Sequence, residues 1–309
     1  MRKPDRIQPG DTIGIVTPAS PSPKEELDKG VAVIEARGYR VKLATNLCAK
    51  ASHCDYLAGS DRERAEDLNA MFGDPEIKAV FCGRGGYGSM RLFDLLDWSL
   101  IEANAKLFVG YSDITSLHTA FSRLGWVTLH ATMVSSLWRL SDDALSRFWH
   151  LVESPDALGQ LQTEGANIET VVPGSVEGEL AGGNLCLLAQ ACGSRFAPDF
   201  RGKIVAIEDT NDAVYHADRD LTQLLNAGHL QDAEGFIIGN LSGWEKHEAD
   251  PPINTPSALW SEFFGRLGRP CISGFPFGHI PNPLMLPLGV RARLDAERRT
   301  VELLEGAVV

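Results

Sequence analysis

The sequence predicts an α/β chain in two domains, and three observations carry that prediction. Short apolar runs alternate with helical patterns through the first half. Two glycine-containing junctions each follow a buried run and open a helix. The second half finishes on an alternating hairpin pattern. Strand–helix alternation implies a parallel sheet covered on both faces, while the antiparallel finish makes the second domain mixed α+β. At about 150 residues per domain, the 309 residues fit two domains.

Thr12–Thr17 (TIGIVT) reads as a strand ended by Pro18, and Lys24–Arg37 as a helix stopped by Gly38. Tyr39–Ala44 is a second strand. Asp61–Phe72 is a helix with Ala65, Leu68 and Met71/Phe72 on one face. Ala79–Cys82 is a short buried strand, Met90–Leu96 a helix, Lys106–Val109 a strand and Ile114–Leu124 a helix. Ligands in such sheets bind beyond the carboxyl ends of the strands. After a helix at Ala144–Val152 the polar stretch SPDALGQLQTEGAN reads as a linker. The expected division is therefore a first domain over 1–140, a linker over 141–174 and a second domain over 175–309. In the latter, Val176–Ala181, Lys203–Ile207 and Phe236–Gly239 read as strands, Asn184–Cys192 and Leu221–Asn226 as helices, and Val290–Leu304 as a hairpin. No internal repeat or low-complexity tract interrupts the pattern.

With 29 Lys+Arg against 41 Asp+Glu, the formal net charge is −12. A nucleic-acid binder needs a basic footprint and adhesion to anionic lipid needs the same, so the expected partner is a small molecule. No run approaches the roughly 18 apolar residues of a membrane span. Met1-Arg2-Lys3 is basic, but Pro4, Asp5, Arg6, Gln8 and Asp11 break any apolar signal core. The six cysteines show neither CxxC nor metal-ligand spacing. Reduced thiols and a cytoplasmic location are the expectation.

Chemistry concentrates at the two junctions. Gly83-Arg84-Gly85-Gly86-Tyr87-Gly88 follows Ala79–Cys82 and holds four glycines in six positions. Its backbone N–H groups could face an anion. The run matches GxGxxG, with Asp113 near the place of a ribose-binding acid, so a dinucleotide site and a plain glycine-rich packing turn both stay open. At the second junction, Gly110-Tyr111-Ser112-Asp113, a serine on a sharp strand-to-helix turn resembles a nucleophile elbow. The Asp113 N–H is then placed to donate to an oxyanion. A Ser or Asp here also suits a helix N-cap.

A serine nucleophile needs a base and an orienting carboxylate. His53, His150, His229 and His247 lie in polar surroundings, His118 faces the packing side of a helix, His130 reads as a core histidine bonded to backbone, and His216 falls in a polar loop. His279 differs, because GFPFGHIP would hold its ring rigidly. Glu208 closes the apolar run Ile204–Ile207, either as the orienting acid or as the first solvated residue past a strand; Asp209 could take its part.

Taken together, RIQPGDTIGIVTPASP, GRGGYGSMRLFDLLDW, LFVGYSDITSLH, GELAGGNLCLLAQACGS, IVAIEDTNDAVYHADRDLTQLL and GFPFGHIPNPLMLPLG resemble the LD-carboxypeptidase family of serine peptidases, which includes microcin-immunity peptidases. The resemblance spans nearly the whole chain. It implies a flavodoxin-like (class I glutamine amidotransferase-like) N-terminal domain and a swivelling C-terminal domain. It also implies Ser112 as nucleophile, His279 as general base, Glu208 as the acid orienting it, and an oxyanion hole from the N–H groups of Asp113 and Gly85. The implied reaction is release of terminal D-alanine from a murein tetrapeptide by a cytoplasmic homodimer, without cofactor or metal. Cleavage of a peptidyl or aminoacyl nucleotide amide is the alternative, which aromatic residues such as Trp244 or Trp260 in a pocket would favour. A free carboxylate suits a guanidinium, for which Arg84 and Arg219 are the candidates. One departure is His130-Ala131-Thr132, where the family often has His-Gly-Pro.

Overall fold

β1 (Thr12–Val16) is buried along its whole length, and that burial on both faces is what a parallel interior strand requires. It pairs in parallel with β2 (Arg40–Leu43) and with β3 (Ile77–Cys82). β4 (Leu107–Gly110) adds to β3 and β5 (Thr128–His130) to β4, giving the order β2-β1-β3-β4-β5. Parallel pairs need crossovers, and α1 (Lys24–Ala36), α2 (Asp61–Gly73), α3 (Trp98–Ala103) and α4 (Thr115–Arg123) lie in them, with α5 (Val134–Leu137) and α6 (Asp142–Glu153) following. The strand order reverses between β1 and β3. The loops leaving β1, β3 and β4 are therefore those that flank a switch-point crevice.

Local chemistry fixes the helix ends. Ser60 Oγ accepts from Glu63 N–H at 3.2 Å while Glu63 Oε2 accepts from Ser60 N–H at 2.7 Å, a reciprocal cap on α2. Ser141 Oγ accepts from Ala144 N–H and starts α6, which buries Phe148, Trp149 and Val152. α1 approaches α5 so closely that a Cβ on Gly30 would sit 1.8 Å from the Val134 carbonyl oxygen.

The computed structural model describes residues 1–247 and 255–309. They form two units, Met1–Pro155 with Ala307–Val309, and Asp156–Gly306. The second unit is built on β8 (Ser175–Asn184), β9 (Lys203–Thr210), β10 (Gly235–Ser242) and β11 (Cys271–Ser273), all parallel. β6 (Gly159–Gln160), β7 (Glu169–Val172), β13 (Arg291–Asp295) and β14 (Thr300–Leu303) join antiparallel, in the order β6-β14-β13-β8-β9-β10-β11-β7. β12 (Leu286–Leu288) lies between β11 and β13 in the chain. Helices α7 (Leu185–Gln190), α8 (Val214–Asn226) and α9 (Pro256–Leu267) cover one face over Val205, Ile207, Phe236 and Ile238.

Several expectations are corrected. The parallel centre makes this unit α/β in its core, with the antiparallel pairing confined to the flanks. The stretch 141–174, expected as a linker that opens on a helix at Ala144–Val152, divides between the units: α6 falls in the first, and β6 and β7 extend the second sheet. Met90–Leu96 is not a helix but a 3₁₀ turn at Ser89–Leu92, because Asp113 captures the Gly88 and Ser89 N–H groups and the segment closes i→i+3 bonds such as Arg91 N to Gly88 O. His216 sits on α8, not in a loop.

The contact between α1 and α5 sets a test of sign. Alanine is favoured over glycine in a helix by about 1 kcal/mol, yet Gly30→Ala should lower the unfolding free energy by about 1–3 kcal/mol through overpacking. Urea unfolding followed by circular dichroism measures this; a gain in stability would refute so close an approach.

Candidate active site

Ser112 stands at the carboxyl end of β4 with φ +64°, one of four non-glycine residues at positive φ among those described. Such a backbone costs roughly 1–3 kcal/mol and is the geometry that lifts a serine out of a sheet. Its neighbours enforce the turn. Tyr111 is fully extended, Ser112–Ile114 forms a 3₁₀ turn, and α4 continues from it. Gly110 has no room for a side chain, since a Cβ would lie 2.8 Å from Ile114 Cγ2.

The glycine-rich loop packs against that serine. A Cβ on Gly85 would meet Ser112 Cβ at 3.1 Å and Oγ at 3.3 Å. The Gly85 carbonyl accepts from Ser20 N–H at 3.1 Å, while its own N–H has no acceptor among the described residues. Ser20 Oγ donates to the Tyr56 carbonyl at 2.6 Å and accepts from Tyr87 N–H at 3.2 Å. At Gly86, φ is +106° and a Cβ would come within 2.1 Å of Ser20 Oγ. Asp113, 1% exposed, accepts from Gly88 N–H at 3.2 Å and Ser89 N–H at 2.8 Å, and its carbonyl accepts from Ser89 Oγ at 2.6 Å. Burial raises its carboxyl pKa, and the Ser89 and Gly88 hydrogen bonds oppose that. The Asp113 side chain is thus occupied by the protein's own backbone and is not placed to bind a ribose.

His118 buttresses the same turn. It is buried, its Nε2 lies 2.9 Å from the Gly110 carbonyl and its Nδ1 2.8 Å from Thr128 Oγ1. A carbonyl only accepts, so Nε2 carries the proton and Nδ1 accepts from threonine. Burial pushes its pKa down to about 4. A neutral ring with both nitrogens engaged is a prop, not a base. Ala131, at the departure from His-Gly-Pro, donates its N–H to the same Gly110 carbonyl at 3.0 Å.

In the second unit Glu208 lies within β9 and is 2% exposed, so it is not a solvated residue past a strand end. His279 Nδ1 lies 2.6 Å from Glu208 Oε2. A carboxylate in that position fixes Nδ1–H as donor and leaves Nε2 as the basic nitrogen. Burial opposes charging of the ring, but the hydrogen bond and charge of Glu208, with a contribution from Asp209, outweigh it and raise the His279 pKa. Gly278 makes this approach possible: φ is +103° there, and a Cβ would lie 2.6 Å from Glu208 Oε2. Buried Phe275 and Phe277 anchor the loop, with Phe275 N–H donating to Ile238 O and Phe277 O accepting from Asn240 N–H. Asp209 has a different task. It accepts from Asn184 Nδ2 at 2.9 Å, Thr210 N–H at 2.8 Å and Cys186 N–H at 3.1 Å, tying β9 to the start of α7. Burial, with Glu208's charge adding to it, lifts its pKa to about 7.

The structure therefore brings Gly85, Ser112 and Asp113 together in one unit and Glu208 with His279 in the other. The arginines differ. Arg84 is exposed and donates to the Pro21 carbonyl at 3.1 Å; Arg219, on α8, pairs with Asp220 at 3.3 Å. Trp260 is buried in the core beneath α9, and Trp244 packs against that core. Among the described residues no three His, Cys, Asp or Glu side chains cluster to hold a metal. Sequence reasoning missed the carboxylate role of Asp113, the close approach at Gly278 and the Asn184–Asp209 tie. The one available signal was a pair of adjacent acids ending an apolar run.

Residues 13–131 match the LD-carboxypeptidase N-terminal domain, and residues 177–294 the LD-carboxypeptidase C-terminal domain. A Bacillus subtilis protein named "probable murein peptide carboxypeptidase" is 37% identical, with 98% of this chain and 95% of that protein covered. The crystal structure of muramoyltetrapeptide carboxypeptidase from Oxalobacter formigenes superposes with a TM-score of 0.81 at 29% identity, covering 96% of this chain and 98% of that one. The Escherichia coli microcin C7 self-immunity protein is 26% identical over 96% of this chain and 94% of its own length. On the two domain matches and the near-complete coverage at 37% identity, this chain belongs to the LD-carboxypeptidase family.

Proposed function

We propose that the chain is a serine carboxypeptidase that hydrolyses an L,D-peptide bond and releases terminal D-alanine from a murein tetrapeptide. The observation that carries the mechanism is the buried Glu208 carboxylate 2.6 Å from His279 Nδ1. Serine is a weak nucleophile at neutral pH. In this reading His279 Nε2 takes the Ser112 proton as Oγ attacks the amide carbonyl, and Glu208 stabilises the imidazolium that forms. The N–H groups of Gly85 and Asp113 hold the oxyanion. Collapse of the tetrahedral intermediate expels D-alanine, with His279 returning the proton, and water then releases the tripeptide acid by the same route.

The finer fold description belongs to the same reading. The order β2-β1-β3-β4-β5 supports a flavodoxin-like first domain. A swivelling second domain, a homodimer and a cytoplasmic location are carried over from the family resemblance. The microcin-type reading rests on family membership; Trp260, though buried, lines a narrow cavity with Glu208, Asp209 and Asn240.

Mass analysis of a murein tetrapeptide incubated with the protein tests the function. Wild type should release one D-alanine and Ser112→Ala none above background; equal release by both would sink the assignment of Ser112, and no release by wild type would sink the substrate.

The pH profile tests the base. His279 must be neutral to accept a proton, so activity is present above its pKa and lost as pH falls through it. Because Glu208 raises that pKa, the acidic limb of kcat/KM should lie above the ordinary value of about 6.5. Glu208→Gln removes the raising charge and leaves the burial, so the limb should move to lower pH while the plateau drops by about 10³–10⁴-fold. A limb that stays in place would show that Glu208 does not set the titration.

Arg84 is the better candidate for the terminal carboxylate, because it is exposed beside Gly85 whereas Arg219 is engaged by Asp220. Arg84→Ala should raise KM for the free-acid tetrapeptide about tenfold, the worth of one hydrogen bond to a charged group, and leave the C-terminal amide unaffected. An unchanged KM for the acid ends that assignment.

A further inference from the structure

Arg64 is an arginine on the wrong face of its helix. α2 turns Ala65, Leu68, Met71 and Phe72 inward, and Arg64 goes with them, its side chain fully buried. Taking a guanidinium out of water costs several kcal/mol unless its donors are used. Its carboxylate partner, Asp61, is shared with Arg91 at the surface and engages only Nη2, so that ion pair accounts for the burial in part. The remaining bonds go to backbone: Nη1 donates to the Pro18 carbonyl, just past β1, at 2.5 Å and to the Gly88 carbonyl at 2.9 Å. Nε is buried with no partner.

The Gly88 bond reaches further than one atom. In the Gly88–Ser89 peptide the carbonyl accepts from Arg64 while the N–H donates to Asp113 Oδ2 at 2.8 Å. One peptide dipole thus lies between a buried cation and a buried carboxylate, favourably aligned at both ends. Asp113 directly follows Ser112. On the other side, the Pro18 carbonyl holds the strand of chain that leads to Ser20, whose N–H grips Gly85. The fit leaves no slack, since a Cβ on Gly88 would lie 2.9 Å from Arg64 Nη1.

We propose that Arg64 is a positioning residue for the oxyanion hole: its guanidinium clamps the Pro18 and Gly88 carbonyls and, across the Gly88–Ser89 peptide, the Asp113 carboxylate, so that the Gly85 and Asp113 N–H groups keep one orientation around Ser112. This rests on the reading of Ser112 as nucleophile. Arg64 touches no reacting atom. Its loss acts on the transition state through donors displaced by a fraction of an ångström, and hence on kcat more than on KM.

The test compares wild type, Arg64→Met, Arg64→Lys and Leu68→Ala, the last a stability control on the same helix, all below the lowest melting temperature. Two readouts are used: the rate at which a fluorophosphonate labels Ser112, and kcat and KM on murein tetrapeptide. Labelling and kcat of Arg64→Met should fall together about 100-fold, with KM within about twofold. Lysine ends one bond short of Nη1, the nitrogen that serves both carbonyls, and has no second nitrogen for Asp61, so Arg64→Lys should recover part of the loss and remain about tenfold below wild type. Leu68→Ala should lose stability and keep its labelling rate. Wild-type rates in a folded Arg64→Met or in Arg64→Lys overturn the proposal, as does a loss in Leu68→Ala as deep as that in Arg64→Met. If Arg64→Met does not fold, Arg64→Lys decides alone. A wild type labelled at Ser112 that releases no D-alanine overturns the carboxypeptidase reading and leaves labelling to judge Arg64; a wild type that is not labelled overturns both.

Discussion

A serine at φ +64° persists only where its surroundings permit no other conformation, and much of the first unit is arranged to that end. The strain is worth roughly 1–3 kcal/mol, a large fraction of the stability of a typical domain. Three carriers hold it. Gly110 gives Ile114 the space to pack against the turn from below. His118 accepts from Thr128 and donates to Gly110, so β4 is pinned two residues before the serine. Asp113 bonds to Gly88 and Ser89, pinning the residue after it. The glycines that look like a nucleotide loop are explained by close packing: a Cβ would crowd serine side chains at Gly83, Gly85 and Gly86, and the Leu57 and Arg64 side chains at Gly88.

The second unit solves an electrostatic problem instead. Glu208 and Asp209 are adjacent acids on one strand, with side chains on opposite faces of the sheet, and both are buried. Two full charges there would repel in a medium that screens poorly. Asp209, lifted to about 7 by burial and by its neighbour, gives up part of its charge near neutral pH. Glu208 spends Oε2 on His279, while Oε1 is left without a partner. An orphaned buried oxygen is costly, and its cost is lowered when the imidazole carries the positive charge. The arrangement that burdens the resting protein is the one that favours the protonated imidazole that the proposed acyl transfer needs midway.

What the sequence made legible follows the range of the interaction that creates each feature. The strands β1, β3 and β4 and the helices α1, α2 and α6 came from local periodicity, because burial on one face or two writes itself into consecutive residues. Ser112, Glu208 and His279 stood out because each breaks a local pattern: a serine after a strand-ending glycine, an acid on an apolar run, a histidine among Gly and Pro. α9 escaped although Thr255, Pro256 and Gly268 punctuate it well, and β5 escaped because three residues carry no period. Arg64 escaped for a different reason. Its position at i, with Leu68 at i+4 and Met71 and Phe72 beyond, marks it as inward-facing, but an arginine at the edge of an apolar stripe ordinarily reaches out to water. Only the carbonyls of Pro18 and Gly88, distant in sequence, turn it inward.

The net charge of −12 gains meaning from this local view. A peptide ending in a free carboxylate is repelled, not steered, by an acidic protein, and beyond about 8–10 Å physiological salt screens either effect. Binding under the proposed reading must therefore depend on groups within that distance of Ser112. Near the glycine-rich loop the exposed cations are Arg84 and Arg91, and Arg91 is committed to Asp61 through two hydrogen bonds. Arg84, held by one bond to a carbonyl, keeps donors for an incoming anion. The buried Arg64 cannot serve, since its charge is already matched by Asp61 on one side and, through a peptide, by Asp113 on the other. Arg64 is spent on backbone carbonyls and Arg91 on Asp61, so under the proposed reading Arg84 is the guanidinium left to meet the substrate.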